Sequence, residues 1–351
     1  MSEMSIRNHR TPVPKGRQPR SRFAALLRRP ELGAVVGAVV LFALFAVVAN
    51  PVFTQPSSIA TVLYGASTYG IMAVGVSLLM IGGEFDLSTG VAVISSALVA
   101  SMFAWSLSAN VWVGVLVALV FSLAIGFVNG LLLVKTKLPS FIVTLATFLM
   151  LAGLNLAITR AVTGGVASPK IDDMDGFASA RAVFASSVPV FGIELNITVF
   201  VWIALVAVAT WILMRTRVGN WIFAVGGDAA AARAVGVPVV QTKIGLYMGV
   251  GFCAWIAGMH LLFNYRVVQS GEGVGNEFLY IIAAVIGGCL LTGGYGSAIG
   301  GAIGAFIFGM ANRGIVYAQW NPDWFQFFLG LMLLVATVIN VVVKRRAERA
   351  Q

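Results

Sequence analysis

Asp86 and Ser88 stand in the stretch GGEFDLSTG, residues 82–90, between two apolar runs. Paired glycines there break one helix. The carboxylate of Asp86 or the hydroxyl of Ser88 can accept bonds from the free N–H groups that start the next helix. The same groups suit a second use, hydrogen bonding beside a path through a broken helix. The two uses are compatible. Further along, Asn129 in GFVNG, Thr144 and Thr147 in FIVTLATF, and Asn155 in LAGLN are uncharged hydrogen-bonding groups inside apolar runs. In lipid such groups face protein or a cavity. They serve either as bonds between helices or as contacts for a neutral, hydroxyl-rich solute. Tyr64, Tyr69, Phe148 and Tyr280 offer aromatic faces for the apolar patches of such a solute.

Other chemistries lack their residues. The chain has no G-x-x-x-x-G-K-S/T phosphate loop, no H-E-x-x-H and no G-x-S-x-G. It therefore has no P-loop for ATP, and nothing in it points to an enzyme. Cys253 and Cys289 lie in apolar runs without a CxxC neighbour and read as small buried hydrophobes. His9 sits near the N-terminus, and His260 stands alone near the end of an apolar run, where a polar contact is its expected use. No metal set and no resident cofactor is expected. The charges within the apolar runs lie near their ends. That argues against proton- or ion-coupled carriage, which often needs ionisable groups mid-membrane.

The elements that position these residues follow from composition. The chain has 351 residues, 59% hydrophobic and only 10% charged, with a mean hydropathy of +0.93. A soluble domain carries about 25% charged residues. The expected fold class is therefore an all-α polytopic membrane protein. Ten candidate spans emerge: 32–49, 58–81, 91–107, 111–134, 141–159, 195–214, 244–265, 278–291, 296–312 and 325–343. The first is too long for a typical signal segment and has no clear cleavage site, so it reads as retained. Crossing the hydrocarbon core takes about 20 residues.

Charge sets the orientation. Of 23 Lys and Arg residues, eighteen fall in the N-terminal segment 1–31, at Lys135 and Lys137, in 215–243, and in the basic tail 344–351. Ten spans with both termini cytoplasmic put all eighteen on one side, as the positive-inside rule requires. The net charge of +10 thus marks a membrane face rather than a nucleic-acid surface. Residues 1–31 read as a disordered cytoplasmic tail, 32–343 as the membrane domain. The segment 160–194 is the longest outer loop. It reads equally as a docking or lid element and as a solvated loop with one interfacial helix.

Two patterns concern packing. Gly296, Gly300 and Gly304 recur every fourth residue, which permits close helix contact. Ile-Gly-Gly opens both 81–90 and 286–297, a short hint of an internal repeat.

The inner segment 215–243 contains FAVGGDAAAARAVGVPV, residues 223–239. Asp228 can cap a helix over 229–235, Gly236 can end it, and Pro238 forbids its return. The alanines leave a thin helix without the large apolar face that lipid burial needs. Docking into a groove on another protein is the expectation.

Here the chain resembles a known family. VGNWIFAVGGDAAAARAVGV is similar to the cytoplasmic coupling segment of the ribose/xylose/galactose permeases of bacterial ABC sugar importers. GGEFDLSTG, GFVNGLLLVKTKLPSFIVTLATF and GEGVGNEFLYIIAAVIGGCLLTGGYGS resemble three further motifs of that family, in order, over roughly residues 60–315. The resemblance implies a multi-pass permease of the bacterial inner membrane, working by alternating access. It would pair with a second permease copy or a paralogue and receive a monosaccharide or polyol from a periplasmic binding protein, which makes 160–194 periplasmic. ATP and magnesium would be held by separate cytoplasmic ATPase subunits, with Gly226, Gly227, Asp228, Ala229, Ala230, Arg233 and Gly236 near the ATPase surface. Asp86, Ser88, Asn129, Thr147, Asn155 and Tyr280 are the candidate substrate path. Asp228 replaces the family's usual Asn, Val235 its usual Ser, and GEFD its usual GID. A nucleoside, an autoinducer, a branched-chain amino acid, or ATP-independent carriage remain alternatives.

Overall fold

A computed structural model describes residues 31–349. The basic segment 1–30 and residues 350–351 of the basic tail lie outside it. The described chain forms α1 (Glu31–Val48), α2 (Pro56–Ile81), α3 (Thr89–Ser106), α4 (Val111–Thr136), α5 (Ser140–Thr163), α6 (Phe177–Phe184), the hairpin β1 (Ser187–Val190) and β2 (Ile193–Asn196), α7 (Ile197–Arg215), α8 (Arg217–Gly227), α9 (Ala229–Ala234), α10 (Val239–Tyr265), α11 (Asn276–Ile286), α12 (Ala298–Tyr317) and α13 (Trp324–Arg349). Each of the ten expected apolar segments contains a helix. Eight of the described helices are long and apolar enough to cross a membrane. The fold is all-α and polytopic.

The helix ends follow their local chemistry. Pro56 occupies the first turn of α2, where its missing N–H costs nothing. Asn110 caps α4 by accepting from Trp112 N at 3.0 Å, and Asn196 caps α7 by accepting from Thr198 N at 3.0 Å. Ser297 caps α12 by accepting from Gly300 N at 2.9 Å.

The helices fall into two layers. Within their apolar windows, α3 is 78% buried and α10 72%, while α1 is 11% buried. The first two, with α2 and α12, form the central core, and α1, α5 and α7 leave wide apolar faces outward. That inverts a soluble protein and is what lipid as solvent allows.

The eighth expected span, 278–291, is shorter than its hydropathy implied. Its helix, α11, has 11 residues, about 16 Å of rise, half the hydrocarbon thickness. The ninth shifts forward to α12, 298–317.

The segment 160–194 is neither a loose loop nor a single interfacial helix. Phe184 of α6 stacks on Phe263 of α10 at 5.7 Å and meets Trp255 edge-on at 5.6 Å. Val111 N donates to Asp175 O at 3.0 Å. Arg266 pairs with Asp172 at 3.6 Å. The helix α6 caps the ends of α4 and α10, opposite α9, and the hairpin packs through β2 against α2 and α7.

Candidate functional site

Two places in the bundle carry the candidate residues. The first is the start of α3. After α2 the chain turns at Gly82 and Gly83, and residues 84–88 run back into the bundle before α3 begins. This stretch is buried, with Asp86 3% and Ser88 0% exposed. Its groups are met by side chains from three helices. Phe85 N donates to Ser140 Oγ at 3.2 Å, and Leu87 N to Thr144 Oγ1 at 3.1 Å. Tyr247 donates its hydroxyl to Phe85 O at 2.8 Å. Glu84 pairs with Lys243. Asp86 Oδ1 accepts from Ser88 N at 2.8 Å and from Ser88 Oγ at 2.6 Å. Asn129 Nδ2 donates to Ser88 Oγ at 3.0 Å, and Thr147 Oγ1 donates to Asn129 Oδ1 at 2.7 Å.

Four of the six candidate path residues therefore form one chain of bonds: Asp86, Ser88, Asn129 and Thr147. Asn155 lies farther along α5, where it accepts from Ser95 Oγ at 2.8 Å. Tyr280 is separate. It is buried on α11, with its ring 6.2 Å from that of Tyr69. Tyr69 in turn packs edge-on against Phe308 at 4.5 Å. Ser88 does not cap α3 through its side chain; its hydroxyl turns to Asp86 instead.

The start of α11 meets the start of α3. The chain leaves α10 at Arg266, near the cap, and α11 begins only at Asn276. Gly273 and Gly90 lie backbone to backbone, so that a methyl on either would overlap the other's carbonyl oxygen. Glu277, 3% exposed, accepts from Gly275 N with both carboxylate oxygens at 3.2 and 3.0 Å. A methyl on Gly90 would stand 2.6 Å from Glu277 Oε2. Two broken segments thus enter from opposite ends of the bundle and bring their helix N-termini together inside it. Half-helices meeting in this way build solute sites in membrane transporters.

The charges do lie near span ends, as expected, but that position does not keep them at the surface. Glu84, Asp86 and Glu277 are all buried. Sequence periodicity hid their burial because each sits in a loop or first turn that folds inward. Each has a bonded partner, so none is an isolated buried charge.

The second place is the tip that carries α9. Asp228 caps α9 by accepting from Ala230 N at 2.8 Å and Ala231 N at 3.0 Å. Gly236 ends the turn at φ +86°. Ala232 faces inward and packs with Val225 and Val239. Asp228, Ala230, Arg233 and Val235 are exposed, and Ala229 is half-buried. Gly227 is exposed, whereas Gly226 faces inward, against Ile81 and Gly294.

Sequence reasoning missed Ser95, Ser140, Tyr247, Lys243 and Glu277. Lys243 counts only among the basic residues of the inner segment 215–243, and Tyr247 is not singled out. His260 makes the polar contact expected of it, with Tyr64 Oη at 3.0 Å and Phe184 O at 2.8 Å. Cys253 and Cys289 are buried and free. Gly300 and Gly304 lie against the backbones of Gly287 and Ala283, the close helix contact their spacing implied.

Membrane-length helices, two broken segments meeting within them and a capped helix on the tip define a polytopic transport protein. Comparison with known proteins supplies the family. Residues 58–337 match the family model described as branched-chain amino acid transport system / permease component. The chain belongs to that permease family. It is 30% identical to the ribose import permease protein of Haemophilus influenzae over 315 residues, 88% of this chain and 93% of the relative. It is 31% identical to a probable ABC transporter permease protein of Sinorhizobium fredii over 319 residues, 91% of each chain. The fructose import permease protein of Rhizobium meliloti is 27% identical over 303 residues, 86% of this chain and 83% of the relative. No solved structure matches the chain significantly. The protein is a multi-pass permease of the bacterial inner membrane, a transport subunit and not an enzyme.

Proposed function

We propose that this chain is the membrane subunit of an ABC importer for a monosaccharide or small polyol. A periplasmic binding protein delivers the solute to the capped end, and a second permease copy or a paralogue completes the path. Separate ATPase subunits dock on α9. The observation that carries this reading is α9 itself. It is exposed, capped at both ends and held to the bundle through one small apolar contact. The positive-inside rule puts this tip in the cytoplasm.

The solute class rests on the ribose and fructose permeases among the relatives and on the buried hydrogen-bonding groups Ser88, Asn129 and Thr147 beside Asp86. The family description also names branched-chain amino acids, which makes them the second reading. Radiolabelled ribose, fructose and leucine, offered to vesicles holding the complete system, separate the two. ATP-independent carriage has less support, because Glu84, Asp86 and Glu277 are each already bonded within the protein.

The test is affinity purification of the tagged chain from its own membranes in mild detergent. An ABC ATPase at about one copy per permease is the expected result for a symmetric assembly. A homo-oligomer without ATPase, even after crosslinking, overturns the reading. Ala230→Arg enlarges an exposed position of α9. It is expected to abolish ATPase docking and uptake while leaving the melting temperature unchanged. Normal docking and uptake by that variant would remove α9 from the interface.

A further inference from the structure

Three connections meet at one point beneath α9: the turn after α2, the end of α8 and the loop between α11 and α12. Gly294 N donates to Ile81 O at 2.8 Å, which ties the first to the third. Gly226 lies between them. A methyl there would overlap Ile81 O and stand 2.7 Å from Gly294 N. A methyl on Gly83 would come 3.2 Å from Gly226 Cα, and one on Gly293 would come 2.6 Å from Gly83 Cα. Gly83, Gly293 and Gly294 all have positive φ, at +84°, +77° and +71°. Side-chain-bearing residues rarely adopt such values. The contact is therefore backbone on backbone from all three directions.

The position of this contact gives it a consequence. Gly226 precedes Asp228, the cap of α9, by two residues. Gly83 opens the stretch that runs inward to α3. Gly293 and Gly294 lie in the loop that closes α11. We infer that Gly83, Gly226, Gly293 and Gly294 form a clasp that yokes the loop from α2 to α3 and the loop from α11 to α12 to α9, so that one displacement of α9 moves the two loops together. Side chains at such a joint change rotamer and absorb small shifts. Packed backbone has no rotamers, and close-packed contacts transmit strain. The single hydrogen bond from Gly294 to Ile81 keeps the two loops in register. Gly226 is accordingly a positioning residue that faces the bundle, rather than part of the surface an ATPase would touch. The inference rests on the reading of α9 as the ATPase dock.

Hydrogen exchange on the wild-type permease–ATPase complex tests it, read with and without a non-hydrolysable ATP analogue. Peptides covering 223–236, 81–88 and 288–297 are expected to change protection together, each by about threefold or more in exchange rate. A response of 223–236 with no response of the two loops overturns the clasp. Failure of the ATPase to co-elute is a separate outcome, which removes the docking reading and the clasp with it.

A variant sharpens the test. Gly226→Ala is expected to keep the ATPase bound and to lose uptake about tenfold or more, the range of a lost coupling between sites. Gly153→Ala is the control, because a methyl there meets nothing within 4 Å. If Gly226→Ala assembles and transports like Gly153→Ala, the clasp is wrong. If Gly226→Ala does not fold, the wild-type exchange pattern decides alone.

Discussion

The loop from α2 to α3 and the loop from α11 to α12 lie side by side, and opposite means hold them. Residues 84–88 are held by side chains. Asn129, Ser140, Thr144, Lys243 and Tyr247 reach in and satisfy backbone and carboxyl groups one by one. Around residues 287–304 glycines bring the segments into close contact instead. Gly287 lies on Gly300, Gly296 on Cys289, and Gly304 on Ala283. Both loops face the same demand, since backbone polar groups inside a membrane must be satisfied by protein. Directional bonds, each worth about 1 kcal/mol net, meet it in the first loop. In the second, backbone-to-backbone bonds such as Gly294 N to Ile81 O at 2.8 Å and Leu290 N to Tyr295 O at 3.2 Å meet it, and small residues permit the close approach. Both begin with Ile-Gly-Gly, at 81–83 and 286–288. A shared short signature therefore marks where a helix breaks, and says nothing about what holds the break.

Substitutions separate the two designs. The glycine seam should be the more brittle, because a clash with backbone has no side chain to yield. Gly304→Val is expected to cost about 3 kcal/mol or more and to leave little folded protein, read by fluorescence-detected size exclusion. Survival of the folded variant would show that α11 and α12 can separate. The polar scaffold should fail by degrees. Asn129→Leu keeps the number of side-chain heavy atoms but removes the bonds to Ser88 and Thr147, a loss of about 2–3 kcal/mol, measured as a lower melting temperature in detergent. No change would mean that the bond chain carries no stability. Ser140→Ala removes one acceptor, for Phe85 N, and should cost about 1 kcal/mol. The smallest effect belongs to a glycine outside the seam. Gly249→Ala on α10 meets nothing within 4 Å and should be neutral or add up to about 1 kcal/mol from helix propensity. A destabilised Gly249→Ala would show that open space around a glycine does not distinguish the two classes.

Much of the site was legible before the fold was known, in unequal measure. Asp228, the alanines and Gly236 act locally, so the capped α9 could be read from one short stretch. The spacing of Gly300 and Gly304 announced a close helix contact but not its partner. Asp86, Ser88, Asn129 and Thr147 were recognisable as polar groups in apolar surroundings. That they bond to one another, across 61 residues of chain from Asp86 to Thr147 in numbering alone, was not. Glu277 and Lys243 were missed because hydropathy sees only how far a charge lies from a span, and both lie near an end. The half-length of α11 was missed for a related reason: the window from 278 to 291 is uniformly apolar, although Gly287 and Gly288 end the helix within it.

Composition alone determined that this chain lives in a membrane as a bundle of helices, because 59% hydrophobic residues and 10% charge leave no soluble way to bury it. Local chemistry determined where most helices start and stop, since caps, glycines and prolines act within one turn. Only the tertiary structure decided which polar residues meet, that two broken helices face each other at Gly90 and Gly273, and that Gly226 turns inward while Ala230 turns out. Those choices depend on contacts between distant segments, and a pattern read along one segment holds no information about what packs against it.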